Sequence, residues 1–158
     1  MLRAVAKESK NMKNIYYKDE VMIKSYEGRL VHLLTVSSNS DKEEEKEEKI
    51  HEELFNHGER AISFKKNKKV VLISARVHPG EAPASYAFNG LLSFLLSNDA
   101  RAYLLRKNFV FKLVPMLNPD GVYHGHHRMD TFGQNLNRFY IDPDNLKQPS
   151  VFGVKRIG

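Results

Sequence analysis

The chain has 158 residues, 41% of them apolar and 28% charged, and no cysteine. That length supports one domain with its own core, and that composition excludes a disordered chain. The missing thiols exclude disulfides, thiolate metal sites and a cysteine nucleophile, so any metal must be held by His, Asp or Glu.

The formal charge of +6 is unevenly placed: residues 41–59 carry a net −6 and residues 60–158 a net +9. The later part of the chain should attract anions, acidic peptide and nucleic acid alike. The first seven residues lack the apolar run of a secretory signal. The most apolar stretch, Leu91 to Leu96, is interrupted by Ser93 and is far short of the ~20 apolar residues of a membrane helix. An intracellular protein without membrane contact is expected.

Residues 1–20 read as an N-terminal remnant or linker. Val21-Met22-Ile23 reads as extended chain, followed by a turn at Glu27-Gly28. Arg29 to Val36 then contains a nearly continuous apolar, β-branched run that suits a buried strand. Ser37 to Lys49 is a charge run, read as a solvated insertion or a frayed helix. After the basic turn Lys65 to Lys69, Val70 to Ala75 is the clearest strand. A helix from about Pro83 to Ser97 puts Ala84, Ala87, Phe88, Leu91, Leu92 and Leu95 on one stripe. Asp99 can cap a second short helix that reaches Lys107, and Phe109 to Val114 is another strand. Residues 118–158 read as Gly- and Pro-rich loops. Strand, helix and strand in this order predict a parallel βαβ unit in an α/β fold.

Four motifs could carry chemistry. His78-Pro79-Gly80-Glu81 follows the Val70–Ala75 strand, where sites of open α/β sheets gather. An imidazole and a carboxylate three residues apart can supply two of the three protein ligands of a catalytic zinc. The same tetrapeptide also suits a plain strand-to-helix turn. Asn118-Pro119-Asp120-Gly121 is first a turn signature whose side chains can bond loop backbone. In His124-Gly125-His126-His127-Arg128, the histidines suggest a metal and Arg128 suits polarisation of a carbonyl or binding of an oxyanion. An exposed basic loop is the alternative. In Asn135-Leu136-Asn137-Arg138, an Asn beside an Arg can grip a carboxylate, or the Arg is an ordinary surface residue.

Taken in order, HPGE, NPDGV, GHHR and NLNR resemble the metallocarboxypeptidases of the carboxypeptidase A type. Within them they resemble the cytosolic carboxypeptidases that trim glutamate from tubulin, most of all the fifth type. The resemblance also covers Gly28 to Ser38, Ser74 to Glu81, Phe88 to Gly90 and Phe109 to Val122, and spans about residues 16–155, with 41–53 as a variable acidic insertion. It implies an α/β fold with a mixed, mainly parallel sheet flanked by helices. Residues 21–158 would be the N-terminal part of the catalytic domain. It further implies zinc held by His78 and Glu81, Arg128 as the catalytic electrophile, and Asn137 and Arg138 gripping the substrate's terminal carboxylate. The implied partners are glutamate-rich protein tails such as those of tubulin, with no nucleic acid and no membrane, in a cytoplasmic and microtubule-associated setting.

The family pattern also contains a later His as third zinc ligand and a Glu general base further on. Neither follows Arg138 here, so the chain is expected to be a fragment with little peptidase activity of its own. The open sheet edge that a fragment implies predicts marginal stability or aggregation. A module that binds acidic C-terminal tails through Arg128 and Arg138 without cutting them is the competing reading.

Overall fold

The computed structural model describes residues 14–65 and 67–158. Six strands form two sheets. The larger has the order β1-β2-β6-β5, built from β1 (Ile15–Lys24), β2 (Leu30–Ser38), β5 (Lys69–Ser74) and β6 (Phe109–Val114). β1 and β2 form an antiparallel hairpin, β2 pairs antiparallel with β6, and β5 runs parallel to β6 from Lys69↔Phe109 to Ser74↔Val114. The sheet is mixed, as expected, and one of these three pairings is parallel. That pair is joined by two helices, α1 (Ala82–Leu95) and α2 (Ala100–Asn108), so the predicted βαβ unit is present.

The strand alternation sends two sets of side chains to opposite faces. On one face Leu34 and Val36 of β2 with Phe111 and Leu113 of β6 pack against Phe88, Leu92 and Leu95 of α1. On the other, Val31, Leu33 and Val114 meet Leu54, Phe55 and the helix α4 (Pro149–Ile157) through Val151, Phe152 and Val154. Helices therefore flank both faces. In α1 the buried residues are Phe88, Leu92 and Leu95, while Ala87 is exposed. α2 starts as predicted, with the Asp99 carboxylate accepting from Arg101 N at 2.8 Å.

Several elements differ from expectation. β1 starts at Ile15, so the sheet takes in the end of the 1–20 segment, whose residues 1–13 lie outside the described residues. The charge run is neither solvated throughout nor helical. Lys42–Lys46 is strand β3, paired antiparallel with β4 (Ile62–Phe64) in a two-stranded ribbon. Just past it, Glu47 turns back onto the main sheet. Its carboxylate meets Lys112 Nζ at 2.5 Å and Arg60 Nη2 at 2.8 Å, and Arg60 also holds the buried Glu20 at 2.5 Å. Finally, the 118–158 region is not all loop. It contains α3 (Pro119–Tyr123), a 3-10 turn at Leu136–Arg138, and α4.

β5 lies at one edge of the larger sheet. Its Val70 is 58% exposed, so apolar surface lies beside the strand's unpaired side among the described residues. No described helix is long and apolar enough to cross a membrane.

Candidate active site

The parallel pair β5 and β6 does not simply fray at its C-terminal end. Ala75 N bonds Val114 O at 2.9 Å, Leu117 N bonds Ala75 O at 2.9 Å, and Asn118 N bonds Arg76 O at 3.1 Å. Arg76 takes a left-handed φ of 56°, which costs an L-residue about 1 kcal/mol or more and turns the chain out of the strand. Its guanidinium steadies the kink by donating to Pro79 O at 2.5 Å and Ser85 Oγ at 2.8 Å. The 78–81 turn is thereby fixed to the first turn of α1.

His78 is 6% exposed. Its Nδ1 lies 2.8 Å from Glu81 Oε1 and its Nε2 lies 3.0 Å from Asn135 Oδ1. Asn135 Oδ1 also accepts from Asn137 N at 3.1 Å, which sets the amide with its oxygen toward the imidazole. An oxygen there accepts a hydrogen bond from Nε2–H, and in the neutral ring that leaves the Nδ1 lone pair facing Glu81, whereas in the imidazolium Nδ1 donates to it. Two acceptors facing each other at 2.8 Å need a proton or a cation between them. The pair therefore suits a metal ion: imidazole and carboxylate are zinc donors, and a ring N–H donated to a neighbouring oxygen is how metal-bound histidines are held in place. Glu81 is the open side of the pair, with its side chain 56% exposed.

Arg128 Nη1 stands 4.0 Å from Glu81 Oε1, so three of the predicted side chains meet at the end of β5. Asn137 and Arg138 are exposed and lie on the 3-10 turn that begins beside Asn135. They border the site through that residue, and Arg138 Nη1 donates only weakly, at 3.4 Å, to Asn137 O. Two histidines of the 124–127 cluster are engaged elsewhere. His124 Nε2 meets Glu27 at 2.9 Å, and His126 Nδ1 lies 3.3 Å from Met129 O. Among the described residues no group of three His, Asp or Glu converges to hold a metal.

The loops around the site interlock. Gly80 N donates to His127 O at 2.8 Å, and a Cβ at Gly80 would fall 2.6 Å from that same oxygen. A Cβ at Gly121 would fall 2.4 Å from Pro79 Cγ. Asn118 accepts from Gly121 N at 2.9 Å and reaches Val77 O and Met129 O at 3.4 Å. Asp120, 4% exposed, takes Ser25 Oγ at 2.6 Å, Arg29 Nη1 at 2.8 Å and Glu27 N at 3.1 Å. The NPDG segment thus clamps the β1–β2 turn to the site loops. Arg29 and His124 in turn hold the Glu27 carboxyl below its ordinary range.

Sequence reasoning passed over Arg76 and Asn135. The only signal for Asn135 was its place in the NLNR motif, and a left-handed arginine leaves no trace in composition.

A buried histidine thus faces a carboxylate beyond a parallel strand, with an arginine alongside. The sequence model of the zinc carboxypeptidase family matches residues 3–149, and the chain belongs to that family. Within it, the chain is 45% identical over 151 residues to cytosolic carboxypeptidase-like protein 5 of Bos taurus, covering 94% of this chain and 17% of that protein. It is 48% identical over 146 residues to the Danio rerio protein of the same name, covering 91% of this chain and 16% of the relative. The metallo-carboxypeptidase of Burkholderia cenocepacia superposes with a TM-score of 0.70 at 28% identity, over 99% of this chain and 36% of that one. The chain thus spans about one sixth of the length of these curated relatives.

Proposed function

We propose that this chain carries part of the active site of a zinc-dependent carboxypeptidase that removes C-terminal glutamate from acidic protein tails, tubulin among them. The observation that carries the reading is the His78 and Glu81 pair, braced by Asn135 and flanked by Arg128. His78 Nδ1 and the Glu81 carboxylate would hold the zinc, which when bound supplies a Lewis acid and an activated water. Asn135 keeps the imidazole in the tautomer that offers Nδ1. Arg128 polarises the scissile carbonyl and stabilises charge that develops on its oxygen. Asn137 and Arg138 hold the chain-end carboxylate through charge-assisted hydrogen bonds, which aligns the last peptide bond with the zinc donors. The net positive charge of residues 60–158 draws in an acidic tail. A cytoplasmic, microtubule-associated setting follows from that substrate and from the cytosolic proteins to which the chain is similar.

Two donors bind zinc weakly, and a metal-bound water needs a proton acceptor. The 158-residue chain is accordingly inactive or nearly so. Two measurements test this reading. Zinc titration by calorimetry should show binding that His78→Ala abolishes; equal binding by both chains would overturn the metal assignment. Fluorescence anisotropy with a polyglutamate peptide should show binding that needs a free terminal carboxylate and Arg138; equal affinity for the amidated peptide would overturn the exopeptidase orientation. Turnover of the peptide with added zinc is expected at background. Turnover that His78→Ala removes would show the chain to be competent alone.

A further inference from the structure

The end of β2, the turn at residues 39–41 and the start of β3 read Ser37-Ser38-Asn39-Ser40-Asp41-Lys42-Glu43-Glu44-Glu45, and the zinc site uses none of it. Ser38 is buried and Ser40 is exposed. Their hydroxyls lie 2.5 Å apart. Beneath them sits Lys68, 8% exposed. Its Nζ donates to Ser38 Oγ at 3.0 Å and to the Ser40 carbonyl at 3.5 Å, and it stands 5.1 Å from the centre of the Phe64 ring. Among the described residues no carboxylate closes an ion pair with this ammonium. Burial pushes its pKa below the ordinary lysine value, and Asp41 opposes the shift from a distance. Lys65, from the turn between β4 and β5, completes a basic floor: its Nζ lies 3.8 Å from Asp41 Oδ1, and its backbone N donates to Asp41 O at 3.1 Å.

A buried ammonium that meets two neutral oxygens gains from an anionic group placed beside it. Ser40, whose hydroxyl meets that of Ser38, is an exposed turn residue followed by carboxylates one, three, four and five residues on. Carboxylates placed there match the basic substrate groove of an acidophilic protein kinase, since kinases select substrates by charge pattern.

We propose that Ser40 is a phosphorylation site for an acidophilic serine/threonine kinase, and that the phosphate docks on Lys68 and Lys65. Ser40 Oγ attacks the γ-phosphorus of ATP. The new O–P bond forms as the bond to the bridging oxygen breaks, ADP leaves, and the hydroxyl proton passes to the kinase's base. The product brings close to two negative charges to the buried ammonium. It ties the β2–β3 turn to the β4–β5 turn and so fastens the β3–β4 ribbon to the sheet. The turn lies at the end where β5 and β6 begin, since Ser37 Oγ donates to Phe109 O at 2.9 Å, whereas His78 lies beyond the opposite end.

The test treats the 158-residue chain with an acidophilic kinase and Mg·ATP, maps phosphate by mass spectrometry, and titrates the product by ³¹P NMR. The expected result is one phosphate on Ser40, absent in Ser40→Ala and formed several-fold more slowly in Glu43→Gln/Glu44→Gln. The second phosphate ionisation should fall below the value of about 6 for free phosphoserine and return toward it in Lys68→Met. Should Lys68→Met not fold, Lys65→Ala, on the exposed side, must move the ionisation in the same direction. Phosphate on other serines with Ser40 unmodified, or an ionisation that neither lysine variant moves, overturns the proposal.

Discussion

Replacing Glu47 by alanine tests whether the acidic segment belongs to the core. Lys112 is 5% exposed, and its Nζ has two partners, Glu47 Oε1 at 2.5 Å and Thr35 Oγ1 at 3.0 Å. Glu47→Ala leaves a buried ammonium with one hydroxyl, whereas Arg60 keeps Glu20. Breaking a buried pair from one side costs about 3–5 kcal/mol. Glu47 is 21% exposed, so water entering the gap sets the loss at the lower end, about 3 kcal/mol. For a chain of this size that is a fall in Tm of roughly 6–12 °C, read by circular dichroism. The double variant Glu47→Leu/Lys112→Met, which removes both charges, should recover most of the loss.

The pH dependence gives a second reading of the same pair. Burial holds the Lys112 amine below its ordinary range, and Glu47 opposes that shift. Between the folded and unfolded pKa values the unfolded chain binds more protons, so the stability set by this group rises with pH up to the unfolded value. Removing Glu47 lowers the folded pKa further and extends that window downward. The stability gap between parent and Glu47→Ala should therefore narrow as pH rises from neutral toward the lysine range. A loss under about 1 kcal/mol, the size of a surface ion pair, or a gap that does not change with pH, would refute the reasoning.

Asn135→Ala should weaken zinc binding about 10–100-fold, measured by competition with a chromogenic chelator, with little change in Tm because Asn135 is only half-buried. Gly80→Ala forces a Cβ to within 2.6 Å of a backbone oxygen and should cost about 1–3 kcal/mol in urea unfolding while also lowering zinc affinity. Asp120→Ala strands the Ser25 hydroxyl and the Glu27 N–H and should cost about 2–3 kcal/mol; proteolysis should then cut first in the β1–β2 turn. Val70→Lys places a charge on the open edge of β5 and should reduce concentration-dependent association in light scattering.

The sequence was most legible where one signal dominated. The apolar run of β2, the stripe of α1, the Asp99 cap and the strand β6 are each within a residue or two of expectation. Tyr16, Lys18 and Glu20 interrupt the apolar pattern of β1, so its first half does not read as a strand, and the buried Glu20 is met at one carboxylate oxygen by Arg60 and Ala61 N. β3 has five exposed residues. Its strand form comes from pairing with β4 rather than from local preference, which tertiary context overrides. α4 was hidden by Gly153, a residue that weakens a helix reading. The structure shows why it is there, since a Cβ at that position would fall 3.0 Å from Met22 Cε. In the candidate site, His78 and Glu81 could be read from spacing and strand context. The convergence of Asn135 and Arg128 depends on loops whose paths no local pattern encodes.

The contact between Gly80 and the 127 carbonyl has a mechanical meaning. With no room for even one methyl group, the two loops mesh like gear teeth, and neither slides without carrying the other. Arg128 follows directly on one tooth, and His78 and Glu81 flank the other. The backbone that carries Arg128 is thereby held in register with the backbone that carries His78 and Glu81.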